Sequence, residues 1–315
     1  MSLKKGEVTA LRKIYGETLA ELGKTREDIV VVDADLSHST MTMLFQKACP
    51  DRFFNAGIAE QDAIGLACGL STCNKTAFVS TFAIFATGRA YDQVRNTLAY
   101  SYCNVKIVAT HAGITVGEDG ATHQALEDVA LMRAVPGMEI FVPCDGVETK
   151  AVIKYVSETK KPTYVRLPRT NLPTLFDEEE YQFNPYEAKI LKDGSDLTII
   201  TNGETTIECL NAAEMLMQKG INAQVINMHC IKPLDCEIVI KAAKKTNKIF
   251  TVENHSIIGG LGSAVCECLS ENYPAKVHRI GINDEFAQSG PQRELMKFYK
   301  LCGEDICETI LNFNK

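Results

Sequence analysis

The feature that most constrains the fold is a regular exchange of short, nearly continuous apolar runs with longer amphipathic ones. Runs over 29–32, 76–82, 105–110, 139–142 and 163–167 are rich in β-branched residues, the make-up of strands covered on both faces. Between them, 11–22, 59–70, 90–99, 126–134 and 147–156 carry the apolar spacing of helices. Strands that alternate with helices predict a parallel sheet wrapped by helices.

The alternation breaks near residue 170. Asn171-Leu-Pro173, the acidic run Asp177 to Glu180 and Asn184-Pro185 give prolines and like charges without periodicity, which reads as a linker. A second alternating unit begins at Asp196-Leu-Thr-Ile-Ile-Thr-Asn-Gly203, with further strands predicted over 223–227, 248–252 and 276–280. At 315 residues the chain is long enough for two domains. The expectation is α/β: two domains, each a mainly parallel sheet flanked by helices, over 1–175 and a smaller 191–315, joined by a linker at 176–190. No internal repeat or low-complexity segment interrupts this pattern.

Composition narrows the functional classes. A net charge of −7 disfavours nucleic acid or an anionic membrane as the main partner, since both select a basic surface. No apolar run approaches the roughly 18 residues of a membrane span, and Met-Ser-Leu-Lys-Lys is followed by no signal-like apolar core. The twelve cysteines are scattered, without zinc-type spacing, and read as reduced, buried thiols of a cytoplasmic protein.

Ligands in open α/β sheets collect at the carboxyl ends of strands, so the polar turns Asp33-Ala-Asp35, His111-Ala-Gly113 and Pro143-Cys-Asp-Gly146 are the places to look. In Arg52-Phe-Phe-Asn-Ala-Gly-Ile-Ala-Glu-Gln61, Glu60 opens an otherwise apolar helix. It is either a helix-end charge, which the macrodipole favours, or a working acid. The run from Val108 to Asp128 leaves a buried strand and presents His111, Glu118, Asp119 and His123 around several glycines. Two histidines and two acids on one loop could hold a metal, but their wide spacing and the lack of cysteine ligands argue against it. They could equally hydrogen-bond a polyhydroxylated phosphate or simply face solvent.

Gly117-Glu-Asp-Gly-Ala-Thr-His-Gln124 resembles the Gly-Glu-Asp-Gly-Pro-Thr-His-Gln signature of transketolases. Gly57-Ile-Ala-Glu-Gln61 resembles their Gly-Ile-Arg-Glu-His/Gln segment, and Thr81-Phe-Ala-Ile-Phe85 the Thr-Phe-x-x-Phe run between the two. Order and intervals match over nearly the whole chain, but only against the second half of a full-length transketolase. Three long motifs in register are a far stronger signal than one short glycine-rich match.

The resemblance implies thiamine diphosphate chemistry and a pyrimidine-binding domain followed by a transketolase C-terminal domain. The family's glutamate, matched by Glu60, bonds the cofactor's pyrimidine N1′, which calls for a drier site than an ordinary helix end. Phe82 and Phe85 match residues lining the pyrimidine pocket, Phe85 as the stacking partner. His111, Arg169, Arg12 and Ser39 match ligands of the sugar phosphate, and His123 and Asp119 match groups that bond substrate hydroxyls. Asn254-His-Ser-Ile-Ile-Gly-Gly-Leu-Gly262 is read as a structural turn.

The Gly-Asp-Gly motif that holds Mg²⁺ and the diphosphate is missing, so no metal ligand is assigned to this chain. The resemblance therefore implies a separate N-terminal transketolase subunit carrying that half of the site, and a heterotetramer built on a homodimer of the present chain. The implied reaction is reversible transfer of a two-carbon ketol unit between sugar phosphates. A 1-deoxyxylulose-5-phosphate synthase-like protein, a 2-oxo acid dehydrogenase β subunit and a non-catalytic regulatory partner are the alternatives.

Overall fold

The computed structural model describes residues 3–313. Its strands are β1 Val8–Ala10, β2 Ile29–Asp33, β3 Phe53–Asn55, β4 Thr76–Ser80, β5 Val105–Ala109, β6 Glu139–Phe141, β7 Thr163–Arg166, β8 Asn171–Pro173, β9 Lys189–Lys192, β10 Leu197–Thr201, β11 Ala223–Asn227, β12 Cys230–Lys232, β13 Ile249–Ser256 and β14 Val277–Ile282. The architecture is α/β, with two mainly parallel sheets flanked by helices. The first sheet runs β12-β6-β7-β5-β4-β2-β3 and the second β14-β13-β10-β11-β9. Within these two sheets only β12 and β9, each at an edge, pair antiparallel.

The strands β2, β4 and β5 are buried at every position, as runs covered on both faces must be. Helix Leu11–Thr25 buries Leu11, Ile14, Tyr15, Thr18 and Leu19, one stripe at helical spacing, and leaves its other faces to solvent. All twelve cysteines are free thiols, most of them buried. No helix among the described residues is long and apolar enough to cross a membrane.

Several elements differ from the sequence expectation. The strand expected over 76–82 ends at Ser80, and Phe82 makes only an isolated bridge to Thr110. The helix expected over 126–134 starts at Asp128. The helix expected over 90–99 is wound as π turns at Phe85–Arg89 and Gln93–Ala99. There the amides of Ala90, Tyr100 and Cys103 reach back five residues to the carbonyls of Phe85, Arg95 and Leu98. A widening of under one residue per turn leaves no trace in a seven-residue hydrophobic pattern.

The stretch after residue 170 is firmly attached. β8 pairs with β1, the amides of Leu175 and Phe176 donate to Asp145 Oδ2, and the Tyr181 hydroxyl donates to Glu148. β12, from the second half of the chain, extends the first sheet beside β6. Its prolines and like charges are those of a linker. Aromatic anchors at Phe176, Tyr181, Phe183 and Tyr186, which pack on the core of the first half, hold it in place.

Candidate active site

The carboxyl edge of the first sheet gathers side chains from five strand ends. β3 leads through Gly57 into helix Glu60–Thr72, whose N-cap Ala59 offers no side-chain cap. Glu60 is only 2% exposed, so it is not a solvated helix-end charge. Both of its carboxylate oxygens accept from Arg89 Nη1 at 2.9 Å. Arg89 lies 4.3 Å above the Phe85 ring, a cation–π contact. Sequence reasoning missed Arg89, although its place four residues after Phe85 on a helical segment was the available signal.

From Phe85 an aromatic group continues inward. Its ring lies 6.0 Å from that of Phe82 and 5.3 Å from His123, and Phe82 stacks on His111 at 4.0 Å. His111 follows β5 in left-handed backbone, φ 59°, a conformation non-glycine residues seldom adopt and one that clusters at functional sites. Its Nδ1 pairs with Thr110 Oγ1 at 2.8 Å. Burial, reinforced by the guanidiniums of Arg12 and Arg169 and by His123, pushes its pKa down to about 3. The ring is therefore neutral near pH 7.

Beyond His111 the site turns cationic. Arg12, at the start of helix Leu11–Thr25, has its pKa lowered by burial and by Arg169, so the two guanidiniums feel one another. Arg12 Nη1 donates to the Ser39 carbonyl at 3.0 Å, while its Nε is buried without a partner. Arg169 Nη1 donates to the Val116 carbonyl and, at 3.3 Å, to Glu118 Oε2. Two planar cations with unspent donors beside a neutral imidazole suit a phosphate.

The loop bearing Ser39 is shaped by Asp33, which the sequence marked only as part of a polar turn. This buried carboxylate accepts from the Leu36 amide at 2.6 Å and from the Thr40 and Thr42 hydroxyls at 2.8 Å. Burial raises its pKa. Ser39 presents its carbonyl, not its hydroxyl, to Arg12. Asp119 is exposed, and among the described residues its side chain makes no hydrogen bond. The structure thus joins Glu60, Phe82, Phe85, His111, His123, Arg12 and Arg169 in one continuous group and leaves Asp119 exposed, outside those contacts.

Two domain families match the chain: the transketolase pyrimidine-binding domain over residues 7–174 and the transketolase C-terminal domain over 186–306. The chain belongs to the transketolase family. It is 53% identical, over 97% of its length and 96% of the relative's, to a Methanocaldococcus jannaschii protein assigned by inference as a transketolase C-terminal section. It is 44% identical to one subunit of the apulose-4-phosphate transketolase of Phocaeicola vulgatus, over 97% of this chain and 98% of that one. Among solved structures, a split-gene transketolase in an inactive β4 tetramer superposes with a TM-score of 0.88 at 46% identity, covering 97% of this chain and 98% of the other.

The turn read as structural, Asn254 to Gly262, has its helix N-terminus filled by the chain's own Glu253, which accepts from the amides of Leu261 and Gly262. Among the described residues, the one group of potential metal ligands is Cys302, Glu304 and Asp305, at the start of the last helix.

Proposed function

We propose that this chain is the pyrimidine-side subunit of a split transketolase, with Glu60 as the proton partner of thiamine diphosphate. Residues 1–175 form the pyrimidine-binding unit, 176–190 the connection and 191–315 the C-terminal unit. The observation that carries this reading is the placement of Glu60: a carboxylate 2% exposed, linked through Arg89 to the Phe85 ring and on through Phe82 to His111, beside which the site is cationic.

The residues present fit the aminopyrimidine end of the cofactor, a flat ring needing an aromatic face and a carboxyl group. The Gly-Asp-Gly motif is missing from the sequence, and we assign the diphosphate and Mg²⁺ site to an N-terminal partner subunit within a heterotetramer built on a dimer of this chain. When bound, thiamine diphosphate supplies the electron sink for carbon–carbon bond cleavage.

In this reading the chain's own residues contribute as follows. Glu60, whose oxygens accept from Arg89 in the absence of cofactor, shares a proton with a ring nitrogen once the ring takes that place. Phe82 and Phe85 exclude water and give the ring its stacking face. Arg12, Arg169, neutral His111 and the Ser39 turn hold a sugar phosphate, while His123 and Asp119 bond hydroxyls near the reacting carbon. The reaction is reversible transfer of a two-carbon ketol unit from a ketose phosphate to an aldose phosphate, in the cytoplasm. The similarity to a split-gene enzyme solved as an inactive tetramer of β chains supports the need for the partner.

The test is co-expression with the diphosphate-binding subunit, followed by a ketol-transfer assay. Glu60→Gln is expected to lower kcat by about 100-fold or more, the scale of lost acid–base catalysis. Wild-type turnover in that variant removes Glu60 from the mechanism. Turnover by the isolated chain with thiamine diphosphate and Mg²⁺ removes the split arrangement.

A further inference from the structure

The loop that carries Asp119 and His123 contains Gly113, Gly117 and Gly120, all with positive φ. Glycines leave such a segment many conformations of similar energy, so its own sequence does not fix where the two side chains stand. Arg169 and the Phe82 and Phe85 rings hold it from the first domain, and a separate set of contacts reaches it from the second. Gln124, next to His123 and only 3% exposed, donates from Nε2 to the Gln288 carbonyl at 3.0 Å. The same nitrogen lies 3.3 Å and 3.5 Å from the carbonyls of Ile114 and Gly117. One amide group thus ties the two limbs of the loop to each other and to the second domain.

Two independent contacts act on the same loop. Ser289 Oγ donates to the Glu118 carbonyl, directly before Asp119. A Cβ placed on Gly120, directly after it, would lie 3.3 Å from Ser289 Cβ, and one on Gly117 would lie 3.4 Å from the Gly290 carbonyl oxygen. At the loop's root, Asn254 Oδ1 accepts from the Ile114 amide at 3.0 Å, and a Cβ on Gly113 would stand 2.5 Å from Asn254 Nδ2.

We infer that Gln124 and the second-domain segment Gln288-Ser-Gly290 are positioning residues for ketol transfer. The C-terminal domain thereby sets where Asp119 and His123 meet the substrate. This rests on the role proposed above for Asp119 and His123. Gln124 and Ser289 act through the loop they restrain.

The test uses Ser289→Ala, Ser289→Thr and Gln124→Glu, each in the full chain and in the complex with the diphosphate-binding subunit. Ser289 is exposed, so its variants fold even if Gln124→Glu does not. Expected for Ser289→Ala is faster amide exchange confined to 113–125 in the chain alone, with melting temperature unchanged. In the complex, kcat/KM for the sugar phosphate is expected to fall about tenfold, the cost of a small misplacement of binding groups, and Ser289→Thr to restore it. Wild-type exchange and wild-type kcat/KM in Ser289→Ala overturn the inference. So does a lowered melting temperature without a change in kcat/KM, which marks a purely structural contact. A wild-type complex that transfers no ketol group overturns the proposed function instead, and the exchange data then decide alone whether the second domain orders the loop.

Discussion

His111 shows what a single residue meets at this site. It stands in left-handed backbone with its ring stacked on Phe82 and two guanidiniums nearby. Its folded pKa of about 3 lies below the ordinary value near 6.5. Between those two values the unfolded chain binds a proton that the folded chain refuses. The stabilisation from a neutral His111 is therefore present above pH 6.5 and lost progressively as pH falls towards 3. Urea unfolding at pH 6.5 and pH 5 is expected to show His111→Gln losing about 2 kcal/mol less stability than wild type over that interval. Equal losses in the two proteins mean that His111 charges freely. Glu60, two rings away, is the counterpart: a group whose chemistry is set by what it faces, here Arg89.

At the scale of elements, caps and turns tie the chain's halves together. Helix Gly146–Glu158 is capped by Asp145, whose Oδ1 accepts from the Glu148 amide at 2.8 Å. Its Oδ2 accepts from the Leu175 and Phe176 amides at 2.8 and 2.9 Å. Asp145→Ala removes the cap and leaves two connecting amides without acceptors, an expected loss of about 2 to 4 kcal/mol. Chemical denaturation measures it, and a loss below about 1 kcal/mol shows that water replaces the carboxylate. The helix itself was legible in the apolar spacing over 147–156 that follows the Pro143-Cys-Asp-Gly146 turn. The second role of Asp145, anchoring the connection, was not, because its partners lie about thirty residues downstream.

For the molecule as a whole, the two domains share buried polar groups as well as a strand. Asn227 Nδ2 donates to both oxygens of Glu148 at 2.9 and 3.0 Å. Glu204 Oε1 accepts from Thr115 at 3.0 Å and from Asn254 at 2.5 Å, while its Oε2 is buried without a partner. Burial raises the Glu204 pKa to about 7, above its unfolded value near 4.3. The group's favourable contribution is then present at low pH and lost as pH rises through 7. Between pH 5 and pH 8, Glu204→Gln is expected to gain on wild type by about 3 kcal/mol at most, read from stability curves at the two pH values. No change in the difference between the two proteins means Glu204 is ionised at both.

The sequence by itself determined the α/β alternation, because covered strands and one-sided helices leave different apolar periods. It also determined the family, because three motifs keep their order and spacing. Its candidate residues could be named one by one for the same reason. Tertiary structure alone decided that Arg89 faces Glu60, that β12 crosses into the first sheet and that the connection is pinned by aromatic residues. It also decided that a glycine-rich loop is held in part by residues more than 160 positions away in the chain. Each of these depends on contacts between distant segments. Local periodicity records only whether a residue is buried, not which residue it is buried against.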